Sequence, residues 1–159
     1  MKNLAVLFFF ITNSVFSFEY IRTTNGKRNT ISSYEISKTE KFINFVLDGT
    51  FTDNLGNYGY FDNNASVILK NNEVVRLEGF GKTTYQNNEV IYGRGVRTQQ
   101  EQNTGVGSTE VIGATGSLKA LIGMSCNYAV KFFNDYAFFL QKCKITEKQK
   151  KILSNLSNK

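Results

Sequence analysis

Histidine, proline and tryptophan occur nowhere in these 159 residues, and cysteine occurs only twice. Without histidine there is no Ser-His-Asp or Cys-His arrangement for nucleophilic catalysis. Two cysteines alone do not complete a metal site. They lack C-x-x-C spacing and a flanking base, which removes a redox-active dithiol. There is no P-loop and no dinucleotide fingerprint. Gly79-Phe80-Gly81 and Gly93-Arg94-Gly95 share a GxG pattern, but each reads as a bend in a strand. No metal and no cofactor is expected. Past the first residues no run is apolar enough for a membrane helix, so no membrane span is expected, and the missing tryptophan removes the usual girdles of an outer-membrane barrel.

The one long apolar run is at the start. Lys2 precedes Leu4–Thr12, which is too short to span a bilayer, and Val15 and Ser17 form a small-residue site. This predicts a secretory signal over residues 1–17, cleaved after Ser17, and an exported protein, periplasmic or extracellular. An uncleaved anchor or a buried strand is the alternative. No cysteine follows the run as a lipoprotein requires.

The net charge of +6 is unevenly placed. With Lys2, the six lysines of residues 142–159 and Glu147 set aside, residues 18–141 hold 12 basic and 12 acidic side chains. The excess belongs to the tail and not to a groove on the fold, so no nucleic-acid partner is expected.

Residues 18–41 are polar and weakly patterned. Asn25-Gly26 is a turn signal, and at most one short strand is predicted, around Ser33 to Ser37. From Phe42 the pattern is that of a β protein. Phe45, Leu47, Gly49 and Phe51 alternate with Asn44, Asp48 and Thr50. Asn63-Asn64, Asn71-Asn72 and Asn87-Asn88 read as hairpin turns, because asparagine tolerates positive φ. They predict a meander with strands at 65–70, 73–86 and 89–101. Glycines inside two of these strands (Gly79 and Gly81, Gly93 and Gly95) suit strands that bend around a closed barrel. Residues 103–116 read as a glycine-rich connection, followed by strands over Leu118–Phe133 and Tyr136–Ile145.

Asn134-Asp135 is a two-residue turn that pairs Phe133 with Tyr136. Cys126 and Cys143 each lie seven steps further out, so they stand opposite one another at a non-hydrogen-bonded pair. Side chains come closest there, and export favours oxidation, so a disulfide is predicted. On this hairpin Tyr128, Val130 and Phe132 share a face with Cys126, joined by Ala137 and Phe139. Phe133, Phe138 and Leu140 face the other way. Apolar character on both faces points to a lumen on one side and a covering element or second subunit on the other, hence to a homo-oligomer. Thr146-Glu147-Lys148-Gln149 has capping-box form ahead of Ile152, Leu153 and Leu156, so a short helix is predicted within the basic tail, residues 146–159.

The segment Gly107-Ser108-Thr109-Glu110-Val111-Ile112-Gly113-Ala114-Thr115-Gly116 resembles one found in allene oxide cyclase-like and dirigent-like barrels, where a glycine-rich stretch leads into Gly-Ala/Val-x-Gly and a long late strand. The aromatic final hairpin is similar too, and Asp53-Asn54-Leu55-Gly56-Asn57-Tyr58-Gly59 resembles an early turn in uncharacterised bacterial relatives. The resemblance covers residues 42–145. It implies an eight-stranded antiparallel barrel with an apolar cavity, often trimeric, in a family that includes cyclases of unsaturated fatty-acid epoxides and proteins that steer radical coupling. The family's catalytic residues find no match here, so its activity is not carried over.

The expected fold is therefore an all-β antiparallel meander closing into a roughly eight-stranded barrel over residues 42–145. The candidate ligand-binding residues are Asp48, Arg76, Glu78, Arg94 and Tyr128. Asp48 and Glu78 sit mid-strand between apolar neighbours, and a lumen would raise their pKa and fit them for acid–base work. Arg76 shares a strand face with Glu78, and Arg94 either orients an acidic ligand or satisfies Glu78. Tyr58, Tyr60, Tyr85, Tyr92 and Tyr128 are candidates for a cavity lining. The expected function is binding of a small apolar or amphipathic molecule in the lumen. The alternatives are a cyclase or isomerase acting there, and a structural or interaction protein with a filled barrel.

Overall fold

A computed structural model describes residues 17–97 and 100–156. The strands are β1 (Ser17–Glu35), β2 (Glu40–Asp53), β3 (Tyr58–Lys70), β4 (Glu73–Tyr85), β5 (Val90–Arg97), β6 (Gln100–Glu101), β7 (Thr104–Ala114), β8 (Ser125–Phe133) and β9 (Tyr136–Thr146). A 3-10 helix occupies Gly116–Leu121, and α1 runs over Glu147–Ser154. Each long strand pairs antiparallel with its neighbour in sequence, and β1 pairs with β9 from Ser17↔Thr146 to Lys27↔Tyr136. β6 adds only a short pairing to β4. The other eight strands close into an antiparallel meander barrel, with β1 beyond Lys27 paired only to β2. The barrel and the short C-terminal helix are as the sequence predicts.

Side-chain alternation decides what faces inward. Phe45, Leu47 and Phe51 of β2 point into the barrel, as expected. Their register carries the inward row to Phe61, Ala65 and Val67 of β3, and on to Leu77, Thr83 and Tyr85 of β4. At the last hairpin, Cys126 pairs with Cys143 and Phe133 with Tyr136. The two cysteines are disulfide-bonded with Cα atoms 4.2 Å apart, and both are buried.

One end of the barrel is sealed. Leu118 and Leu121 of the 3-10 helix and Leu153 and Leu156 of α1 and its end are buried with Ile145, Tyr20 and the disulfide. Thr146 caps α1 with its hydroxyl on the Gln149 amide N–H, while the Gln149 side chain accepts from the Thr146 N–H. Glu89, in the β4–β5 turn, accepts from Ser117 Oγ and the Leu118 N–H, at 2.7 and 3.2 Å. Asn57 Nδ2, in the β2–β3 turn, donates to the Leu153 carbonyl at 3.1 Å. A second apolar cluster is built on Phe45, Leu47, Phe61, Val67, Leu69 and Val74.

Several expectations are corrected. Residues 18–41 hold a long strand, β1, and not at most one short one. Its inward positions are Tyr20, Arg22, Thr24, Gly26, Arg28 and Thr30, too polar to show a buried face. Asn25-Gly26 is not a turn. Gly26 pairs with Gly49 where β1 and β2 come close, and a Cβ on Gly49 would lie 2.1 Å from the Asn25 carbonyl oxygen. Asn63-Asn64 is mid-strand, paired with Leu47 and Val46. Residues 104–114 form a strand, whose inward Gly107 lies under the Tyr128 ring. The strand predicted from Leu118 begins only at Ser125, because the 3-10 helix carries Leu118 and Leu121 into the seal. Residues 1–16, which hold the apolar run of the predicted signal, lie outside the described residues, as do 98 and 99 in the predicted third strand of the meander and 157–159 in the tail. Asn71, Asn72, Asn88 and Asn134 do take positive φ at turns, between 52° and 65°.

Candidate functional site

Between the two apolar clusters the lumen holds a cavity of about 150 Å³. Its origin is local. Gly79 pairs with Gly95 and Gly81 with Gly93, so four inward positions on β4 and β5 carry no side chain. On one side this space is used: a Cβ on Gly81 would collide with the Asn63 side chain, and one on Gly79 with Ala65. On the other it is not: a Cβ on Gly93 or Gly95 would meet nothing closer than 3.6 and 3.7 Å.

Phe45, Leu47, Phe61, Leu77, Val130 and Phe139 give the cavity an apolar wall. Set into it are Tyr20, Arg22, Thr83, Tyr85, Arg97, Thr109, Tyr128 and Gln141. Toward the sealed end, Tyr20 donates to Asp53 Oδ2 at 2.8 Å and lies 3.4 Å from the Tyr85 hydroxyl. Burial, then the neighbouring Tyr85 and Asp53, pushes the Tyr20 phenol well above its ordinary pKa. Burial raises Tyr85 too, opposed by Arg22. Both remain hydrogen-bond donors across the neutral range. Toward the other end, Gln141 donates to Thr109 Oγ1, and the Tyr128 hydroxyl reaches only the Val96 carbonyl, at 3.5 Å. Burial raises the Tyr128 phenol and lowers the Arg97 guanidinium, and the Arg97 charge partly offsets the rise at Tyr128.

Of the five predicted site residues, only Tyr128 points inward. Asp48 stands on the outer wall, with Asn29 Nδ2 at 3.4 Å. Arg76, Glu78 and Arg94 come together, also outside: Glu78 accepts from Arg76 Nη2 at 2.6 Å and from Arg94 Nε at 2.8 Å. These two hydrogen bonds hold the Glu78 carboxyl below its ordinary pKa. The Arg94 residue borders the cavity, but its guanidinium serves this outer pair. Of the five tyrosines, Tyr85 and Tyr128 line the lumen, while Tyr58, Tyr60 and Tyr92 are exposed. Sequence reasoning missed Tyr20, Arg22 and Arg97. The first two fall in the segment read as unpatterned. Arg97 was legible, since it keeps the alternation of Ile91, Gly93 and Gly95 and so must face inward with them.

A shallow groove of about 660 Å³ lies outside, across β5, β7, β8 and β9, walled by Val96, Ser108, Asn127, Ala129, Leu140 and Lys142. It shares Arg97 and Tyr128 with the lumen. Among the described residues, no three histidine, cysteine, aspartate or glutamate side chains gather as metal ligands, and no helix is long and apolar enough to cross a membrane. Comparison of the chain with family models, curated proteins and solved structures returns no match.

Proposed function

We propose that this is an exported β-barrel protein that holds one small apolar or amphipathic molecule in its lumen. The observation that carries the reading is the cavity of about 150 Å³ in the lumen, bordered by Gly93 and Gly95, in a barrel closed at one end by packed side chains. Protein interiors leave few voids larger than a water. An empty cavity costs roughly 24 cal/mol per Å³, so a space of this size costs on the order of 3–4 kcal/mol unless something fills it. A cavity of similar volume takes a benzene-sized guest. A long acyl chain does not fit inside, so the likeness to allene oxide cyclase-like barrels supports a ligand-holding lumen more than it supports that family's fatty-acid substrates.

Export draws its support from the signal-like residues 1–17 and from the Cys126–Cys143 bond, which is stable in an oxidising compartment. The outer wall carries the pairs Lys82–Asp62, Arg94–Glu78 and Lys142–Glu19. Such charges on the strands are costly in a lipid-facing wall. Phe133, Tyr136, Phe138 and Leu140 are exposed on β8 and β9 and support a subunit interface. Sedimentation velocity of the mature chain tests it: a homo-oligomer is expected, and a monomer at high concentration removes it.

The second reading is a cyclase or isomerase in the same lumen. The Tyr20–Asp53 hydrogen bond, with Tyr85 beside it, favours that reading because it offers a ligand a buried proton donor. Native mass spectrometry of the purified protein, followed by extraction, tests the binding reading. A retained small molecule is expected. If none is retained and no small apolar probe binds, the reading fails. A retained molecule that changes structure on incubation moves the assignment to the enzyme.

A further inference from the structure

We propose that the lumen selects an anion: a carboxylate on a small apolar body, with its charged group held by Arg97 and its affinity raised by the field of Arg22. This rests on the binding reading and names the class of molecule bound.

Arg97 is 3% exposed and faces the cavity. Its Nη2 donates to the carbonyls of Glu101 and Gln102, the second at 3.0 Å, which fixes the guanidinium against the β5–β7 connection. Its Nε is buried with no partner. Arg22 is half-buried. Its Nε is buried and unpartnered, its Nη1 lies 3.4 Å from the Thr83 hydroxyl, Tyr85 is beside it, and its guanidinium carbon lies 5.5 Å from the Phe51 ring centre. Neither arginine forms an ion pair with any described residue.

Asp53, the cross-strand neighbour of Arg22 at the sealed end, supplies one negative charge there, held by Tyr20, by the Leu55 and Asn57 N–H groups and by Asn57 Nδ2. Arg97 has no acidic side chain within ion-pair reach among the described residues. Buried charge without a counter-charge is expensive for a fold, and a hydrophobic residue of the same volume would be cheaper. Arg97, buried without an acidic partner, calls for an anion from outside the chain. A guanidinium with its Nε free offers a carboxylate a directional, charge-assisted bond. Tyr128 lies beside Arg97, and its hydroxyl has only a long contact of its own. The cavity volume limits the apolar body to about the size of a benzene ring.

Arg97 and Tyr128 wall both the lumen and the outer groove.

Benzoate and benzyl alcohol, alike in size and differing in charge, test this on the full chain by calorimetry at neutral pH, with amide NMR shifts at Thr109 and Gln141 to place the ligand in the lumen. Benzoate is expected to bind at least about tenfold more tightly. Arg97→Gln is expected to weaken benzoate by roughly ten- to hundredfold, as loss of a charged hydrogen bond does, and to leave benzyl alcohol within about twofold. Arg22→Gln is expected to do the same by a smaller factor. Equal binding of the two probes overturns the anion inference and leaves the binding reading standing. Preference for benzoate that survives both substitutions also overturns it. Binding of neither probe removes the binding reading and this inference with it. If Arg97→Gln does not fold, the wild-type preference and Arg22→Gln carry the test.

Discussion

The sealed end of the barrel and the β4–β5 wall follow the same inward alternation and arrive at opposite results. At the sealed end each inward position meets a partner: the disulfide, Ile145 and Tyr20 from the strands pack against leucines from the 3-10 helix and α1. Along β4 and β5 four of the inward positions are glycines facing glycines, and a Cβ on Gly93 or Gly95 would meet only ordinary contacts. A barrel needs bends, and glycine supplies them, but bending alone does not require a void. Gly49, Gly59 and Gly81 show the other use, since a Cβ at each would strike backbone or a packed side chain. The difference separates glycines that close backbone contacts require from glycines that border the cavity.

The largest expected effect is at the seal. Leu118→Ala removes a fully buried side chain and is expected to cost about 2–5 kcal/mol in urea unfolding. A value below 1 kcal/mol would mean that the 3-10 helix is not a structural lid. Replacing Cys126 and Cys143 together by alanine is expected to cost about 3 kcal/mol on the chain-entropy model, and non-reducing peptide mapping of exported protein should recover the two as one linked pair. Two glycine substitutions then sharpen the comparison directly. Gly49→Ala places a Cβ against the Asn25 backbone and is expected to destabilise by roughly 1–3 kcal/mol. Gly95→Ala meets only ordinary contact distance and is expected to stay within about 0.5 kcal/mol of wild type. Similar losses at both sites would show that the wall is not bare.

The smallest effect depends on pH. Tyr20 and Tyr85 have folded-state pKa values raised by burial. Their contribution to stability is therefore complete below the unfolded phenol value of about 10 and is lost as pH rises above it toward the folded values. Thermal unfolding followed from pH 8 upward should show a flat midpoint that falls only beyond about pH 10, with a shallower fall in Tyr85→Phe.

Where burial and alternation coincide, the fold was legible in the sequence. Phe45, Leu47 and Phe51 mark β2, and the symmetry of the last hairpin about Asn134-Asp135 places the disulfide. Where the lumen is polar or empty, that signal disappears. β1 turns arginine, threonine and glycine inward, and β7 turns Gly105, Gly107 and Thr109 inward, so neither shows an apolar face although each pairs with a strand on either side. The same cause hid most of the site. Asp48 and Glu78 attracted attention as carboxylates between apolar neighbours, but those neighbours are the inward residues, and alternation therefore sends the carboxylates out. Arg97 keeps the alternation of its strand, but Arg22 leaves no such trace, because in a polar strand an inward arginine looks, along the chain, like any surface cation. The Leu118–Leu121 spacing of three was the available sign of a helical turn, with Gly116 and Gly123 at positive φ on either side.

Filling the space tests the central claim most directly. Gly95→Val adds a small apolar side chain into the cavity, and benzoate binding can be followed by amide NMR shifts at Thr109 and Gln141 in that variant and in wild type. The account predicts that the variant keeps the wild-type fold and loses benzoate. A variant that stays folded and binds benzoate with unchanged affinity and unchanged shifts would contradict it.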